Sequence, residues 1–230
     1  MKFSVNQKDL QNSLNYCQGV IEKRSTLPIL SNVLLESKGK SLKITATDLD
    51  LIFIQNISNI EIIEEGETTT SCSIMYDIVR KFSNEKKINF NLINENKINL
   101  ESDKSSFNLN CLKASEFPIT EENFSENEFK LNSKTILKLL NKCKFSVSND
   151  ETRHYLSGIF LHLTENDNKK FLTGVATDSH RMAISKTLLQ DKINFEPIIL
   201  PKKTIFQLCS LLEDYDGEVK ISNLKSKIKF

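Results

Sequence analysis

The chain has 230 residues, 39% of them hydrophobic and 27% charged, with a formal net charge of +1. That length suits one large domain or two of about 100 to 120 residues, and two is the better reading because cores of roughly 100 to 150 residues are the commonest. No apolar run approaches the ~20 residues of a membrane-spanning helix, and the start, MKFSVNQKDLQ, lacks the apolar centre of a secretory signal, so the expectation is a cytoplasmic protein with no membrane partner.

A net charge near zero provides no overall field to draw in nucleic acid, so any such binding must come from uneven placement of charge. The five cysteines, Cys17, Cys72, Cys111, Cys143 and Cys209, are odd in number and widely spaced, with no C-x-x-C pair. They read as reduced, mostly buried thiols and not as a metal site or a disulfide frame.

In chain order, FSVNQKDLQNSLNYC opens with a short strand and continues with Leu10, Leu14 and Cys17 at i, i+4, i+7, one face of a helix. The β-branched runs ILSNVLLES, SLKITATD and LIFIQNIS follow as strands, and SIMYDIVRKF repeats the helical spacing with Met75, Val79 and Phe82. KINFNLI, KINLES and SSFNLNCL are three more strands, separated by turns such as KGK, NEKK and NENK. The order is strand, helix, three strands, given twice.

The chain then repeats itself. Phe3 to Cys17 aligns without gaps on FKLNSKTILKLLNKC, Phe129 to Cys143, at an offset of 126, and the same offset carries LSNVLL onto LSGIFL. After an insertion in TENDNKK the offset becomes 130, and LKITATDLD meets LTGVATDSH. Helices that bury one stripe on antiparallel sheets give an α+β fold, with a first domain over 1–120 and a second over 128–230. The second copy stops at Phe230, the counterpart of Leu100, and so reads as incomplete.

In LTGVATDSHRMAIS, Asp178, Ser179 and His180 are consecutive, and three consecutive residues cannot converge as nucleophile, base and orienting group. Both copies keep Thr-Asp at a strand end (Thr47-Asp48 and Thr177-Asp178), which reads as a backbone-capping turn. The difference, Ser179-His180-Arg181-Met182 against Leu49-Asp50-Leu51, is either a solvated loop or a specialised site. His154 and His162 make no metal-ligand spacing, and no Gly-rich phosphate loop is present, so no catalytic residue, metal or other cofactor is expected. On SKTILKLLNKCK, Ile136, Leu139, Leu140 and Cys143 form the apolar face, while Lys134, Lys138 and Lys142 recur on the other. With Lys202 and Lys203 opening a later helix, and Lys23, Arg24, Arg80 and Lys81 in the first copy, the stripe is either a solvated face or a wall for phosphates.

Taken together, MKFSVNQKDL, RSTLPILSNVLLE, LKITATDLDL, FPITEENF, RHYLSGIFL and VATDSHRMA resemble the bacterial DNA polymerase III sliding clamp, the β subunit, over the whole chain. The resemblance implies a clamp fold of repeated domains, with two helices each on a concave inner face. Here it covers the first domain and most of the second, the third being absent. In the full-length family two subunits close head to tail as a homodimeric ring around double-stranded DNA, held without sequence preference. Such a ring is a non-catalytic processivity factor of DNA replication that tethers DNA polymerase III subunits, the clamp loader and other replication or repair proteins through short peptide motifs. The alternative is a clamp-derived fragment that binds partner peptides without enclosing DNA.

Carried over, Arg24, Arg80, Lys138, Lys202 and Lys203 would face DNA. Arg153, Tyr155, Leu156, Thr177, Ser179, His180, Arg181 and Met182 would line the partner-peptide groove, and Phe107 and Leu109 the subunit interface. Ser73 and Ile74 stand where relatives often carry basic residues, and Asp150 sits in a loop that approaches DNA in relatives.

Overall fold

The structure is a computed structural model that describes every residue except 25, 84–85, 119–127, 151, 190–192 and 225. The chain divides into two compact units, Met1–Thr120 and Glu121–Phe230. The junction at 121–127, most of FPITEENF and part of the NEKK turn lie outside the described residues.

Unit one runs β1 (Lys2–Asn6), α1 (Gln7–Gln18), β2 (Asn32–Lys38), β3 (Ser41–Thr47), β4 (Ile52–Ser58), β5 (Glu61–Glu64), β6 (Gly66–Ser71), α2 (Cys72–Val79), β7 (Lys87–Asn94), β8 (Lys97–Ser102) and β9 (Ser105–Leu112). Its antiparallel sheet has the order β4-β3-β2-β6-β9-β8-β7-β1-β5. The opening strand of each half pairs with the first of the other half's three strands: β1 with β7, and β6 with β2. Two residue pairs, Thr69↔Leu112 and Thr70↔Cys111, join the β4-β3-β2-β6 stretch of this sheet to the β9-β8-β7-β1-β5 stretch. Both threonine hydroxyls reinforce that seam by donating to strand carbonyls, Thr69 Oγ1 to Leu112 O and Thr70 Oγ1 to Asn110 O, each at 3.0 Å.

The helices follow their apolar spacing. On α1, Leu10, Leu14 and Cys17 are buried, and on α2 so are Cys72, Met75 and Val79. Phe82 packs partly buried on the core but from beyond the helix, because α2 ends at Val79 and the chain tightens, with Lys81 N–H donating to Ile78 O and Phe82 N–H to Val79 O. Its ring packs edge-on against Phe107 at 5.9 Å. The sequence runs also missed β5, in which Glu61–Glu64 leaves the β2–β6 side to pair with β1 before the same stretch turns into β6. At the centre of the core Phe3 and Phe90 stack at 4.7 Å, and each fully buried side chain of this size contributes about 1.5–3 kcal/mol.

Unit two repeats the plan with β10 (Glu128–Asn132), α3 (Ser133–Cys143), β11 (Gly158–Asn166), β12 (Lys169–Thr177), β13 (Met182–Leu188), β14 (Ile198–Pro201), α4 (Lys202–Glu213), β15 (Glu218–Leu224) and β16 (Lys227–Lys229). Its sheets are β13-β12-β11-β14 and β10-β15-β16. The pairings β10 with β15 and β14 with β11 are the same exchange as in unit one. Ile136, Leu139, Leu140 and Cys143 fill the core from α3, as their spacing requires. All five cysteines are buried and free. Burial pushes the thiols of Cys111, Cys143 and Cys209 above the usual cysteine range, and the side-chain interaction with Cys72, together with burial, does the same at Cys17.

Gly158 opens β11 where a Cβ would overlap the Leu200 carbonyl oxygen of β14. Backbone cannot yield there as a flexible side chain would. Gly158→Ala should therefore cost unit two about 1–3 kcal/mol, read as a lower denaturant midpoint from hydrogen exchange of unit-two amides, with unit-one amides unchanged.

Candidate functional site

The Thr-Asp turns have one construction in both units. In unit one Thr47 Oγ1 accepts from Leu49 N–H at 3.0 Å, and Asp48 Oδ1 accepts from Asp50 N–H at 3.1 Å and Leu51 N–H at 2.7 Å. In unit two Thr177 Oγ1 accepts from Ser179 N–H at 3.2 Å, and Asp178 Oδ1 accepts from the N–H groups of His180 and Arg181 at 3.0 Å. Each turn holds one non-glycine residue at positive φ, Leu49 at 84° and Ser179 at 76°, a conformation uncommon outside glycine that the side-chain caps here sustain. Asp178 is thus occupied as a cap. Its carboxyl is held below the usual aspartate range, first by the His180 N–H, then by the Arg181 N–H and side chain, against the opposing effect of burial.

A 3-10 turn, His154–Leu156, precedes β11. Arg153 ties this turn to the Thr177–Met182 segment. Its Nε donates to Asp150 Oδ2 at 2.8 Å and its Nη1 to Ser179 Oγ at 3.1 Å. Asp150 is held in turn by Thr152, whose hydroxyl and N–H lower its carboxyl's pKa ahead of the Arg153 contribution. The Ser148 N–H donates to Leu156 O and the Lys202 N–H to Ser157 O, so the turn is fixed to its surroundings by backbone. Around the bridge, Tyr155 is 68% and Met182 63% exposed, Leu156 is half-buried and His180 is exposed. Thr177 pairs with Met182 across the β12–β13 hairpin, and its hydroxyl donates to Arg181 O at 2.8 Å.

Arg181 binds Asp178 Oδ2 through Nε at 2.9 Å and places its guanidinium 5.5 Å from the Phe145 ring centroid. Phe145, in the 3-10 turn Lys144–Ser146, is a neighbour of the site that sequence reasoning missed. The available signal was a phenylalanine next to lysine directly after a helix whose core face was already complete.

The candidate phosphate-binding cations differ in their surroundings. Arg24 is exposed after α1. Arg80 caps α2 and pairs with Asp77 at 3.0 Å, close to the Tyr76 ring. Lys138 is exposed on α3, whereas Lys134, of the same stripe, pairs with Asp216 at 2.6 Å. Lys202 Nζ donates to Asn149, and Lys203 is half-buried beside it at the start of α4.

Of the expected interface pair, Phe107 is 41% exposed, but Leu109 is only 6% exposed and belongs to the unit-one core. Among the described residues no group of three or more His, Cys, Asp or Glu side chains is placed to hold a metal, and no helix is long and apolar enough to cross a membrane.

Residues 1–121 match the family described as DNA polymerase III beta subunit, N-terminal domain, and residues 130–230 match the central domain of the same subunit. A beta sliding clamp of Caulobacter vibrioides is 30% identical over 233 residues, an alignment covering 100% of this chain and 62% of the relative. The chain thus spans about three-fifths of the length of that relative. Among solved structures, the Caulobacter crescentus beta sliding clamp superposes with a TM-score of 0.94 at 30% identity, over 99% of this chain and 61% of that one. The Bartonella birtlesii sliding clamp bound to griselimycin gives 0.94 at 33% identity, over 99% and 61%.

The lowered Asp178 carboxyl favours the folded turn above the ordinary aspartate value of about 3.9, and that contribution is lost as pH falls through the folded-state value. An NMR titration should place the Asp178 midpoint below that of an unstructured peptide. Asp178→Ala should speed amide exchange at His180 and Arg181 while leaving Asp50 and Leu51 unchanged; unaltered exchange at 180 and 181 would remove the capping role.

Proposed function

The chain belongs to the DNA polymerase III beta subunit family, and we propose that it is a non-catalytic tether of the replication machinery, a sliding clamp that holds duplex DNA and carries partner proteins in a peptide groove. The observation that carries this reading is the Arg153–Ser179 hydrogen bond, which brings the His154–Leu156 turn against the Thr177–Met182 segment. Tyr155, Leu156 and Met182 then offer an apolar surface bordered by Thr177, Ser179, His180 and Arg181. A leucine or aromatic anchor supplies most of the affinity in such a groove, and the polar border sets orientation.

A tether needs no acid or base, and the side chains that look catalytic have other work. Asp178 is committed to its turn, and on this reading His180 serves as a wall of the groove and not as a base. On the DNA side, a clamp that slides must use phosphate attraction alone, since base contacts would create traps along the track. Long-stemmed cations at Arg24, Arg80, Lys138, Lys202 and Lys203 suit that task. For the full-length form we infer the homodimeric ring of the family, with Phe107 at the subunit contact.

Peptides of the Gln-x-x-Leu-Phe kind should bind, and Leu156→Asp should abolish binding, because an unpaired carboxylate would sit in an apolar floor. Met182→Asp tests the same surface at an exposed position outside the core of unit two. His180→Ala should weaken binding only a few-fold, about 1 kcal/mol or less. Calorimetry on the four proteins decides, and undiminished binding by both aspartate variants would move the groove elsewhere.

Duplex binding should be salt-dependent, with a log–log slope of about −0.9 per phosphate neutralised. Replacing Lys202 and Lys203 together by Ala should flatten the slope without changing sequence preference; an unchanged slope would exclude both residues from the DNA face.

A further inference from the structure

Two contacts between a cation and an exposed ring, linked through the consecutive residues Lys144 and Phe145, make a short row of aromatic rings and cations in unit two. Phe206 on α4 is 47% exposed, and Lys144 Nζ lies 5.9 Å from its ring centroid. The next residue, Phe145, is 55% exposed and has the Arg181 guanidinium over its ring. Neither phenylalanine belongs to the unit's core, which α3 and α4 already fill with Ile136, Leu139, Leu140, Ile205, Leu208 and Leu212. Packing therefore does not account for them. Lys202 and Lys203 lie one helical turn before Phe206 on the same side of α4, and α3, with Lys138 and Lys142 exposed, packs beside α4.

We propose that this row binds single-stranded nucleic acid, with unpaired bases stacking on Phe206 and Phe145 and the strand's phosphates lying on Lys144, Lys202, Lys203 and Arg181. The inference rests on the reading of unit two as a nucleic-acid face and extends it from duplex to unpaired strand. Rings and cations select different parts of the ligand. In a duplex the base faces are covered by stacking, so the backbone and the base edges in the grooves reach the protein but no face is open for a phenylalanine ring to stack on. An unpaired strand offers base faces and phosphates at once, the combination that aromatic platforms within a basic surface take without sequence preference.

The cations over the rings do not block the site. A cation–aromatic contact at an exposed position is weaker than a base stacked on the same ring, so an incoming base displaces the Lys144 ammonium, which then meets phosphate. An apolar peptide could use the rings, but it would gain nothing from the four surrounding cations.

The test uses the 230-residue chain and a fluorescein-labelled oligodeoxythymidylate of about 12 nucleotides, within the usual site size for such platforms, beside a duplex of the same length. Phe206→Ala should weaken oligodeoxythymidylate binding by roughly five- to a hundredfold, the range for loss of one stacked base, and leave duplex affinity unchanged. Phe206→Leu, which keeps an apolar side chain for folding, should show the same loss, and Phe206→Trp should retain binding. Lys144→Ala should lower the single-strand salt slope by about 0.7. Equal losses on single strand and duplex, no loss on either, or a loss confined to a Gln-x-x-Leu-Phe peptide would each overturn the proposal. Failure of the duplex reading appears separately, as absent salt-dependent duplex binding with the Phe206 effect on single strand intact.

Discussion

The exchange of opening strands organises each unit. A strand, a helix and three strands cannot satisfy their own sheet edges, because the opening strand lies beside a helix and the first of the three strands is left with one side unpaired. Pairing β1 with β7 and β6 with β2 settles both edges in unit one, and β10 with β15 and β14 with β11 do so in unit two. Each helix follows its opening strand directly, so the exchange also sets where the helix's apolar stripe must land. The cores built on Leu10, Leu14 and Met75, and on Ile136, Leu140 and Ile205, follow from that placement.

The same constraint positions the functional turns. β3 and β4, like β12 and β13, are hairpin neighbours whose connection must reverse within a few residues, and Thr-Asp does this in both by capping the turn's own N–H groups. Once threonine and aspartate have capped the backbone N–H groups, the intervening side chains are not needed for that capping. In unit one they are Leu49, Asp50 and Leu51. In unit two they are Ser179, His180 and Arg181, of which Ser179 reaches Arg153 and Arg181 reaches Phe145. A common scaffold thus carries a distinct surface in one copy through substitutions that leave the turn intact.

Charge is distributed by a similar division. Lys134 is drawn to Asp216, and Arg80 to Asp77, while Lys138 and Lys142 stay on the exposed side of α3. Exposed pairs of this kind are worth about 0–1 kcal/mol, so they pattern the local field more than they stabilise the fold. Lys144 instead lies over an aromatic ring, and Arg181, though paired with Asp178, also lies over one, which holds both cations beside apolar surface.

Sequence alone determined the α+β class, the doubled unit, the buried faces of α1 and α3 and the capping role of Thr-Asp. All of these rest on local periodicity or on self-similarity at fixed offsets, which the chain displays without folding. The end of α2 before Phe82 and the strand β5 escaped it, because a helix end tightens and a strand changes neighbour only in response to what packs against them. The site divided in the same way. Its residues could be named from the motif, but that Arg153 grips Ser179 across 26 positions, that Lys134 spends its charge on Asp216 82 positions away, and that Lys144 covers Phe206 were decided only by the tertiary structure. Contacts between segments so far apart depend on how sheets and helices pack, and no spacing along the chain encodes them.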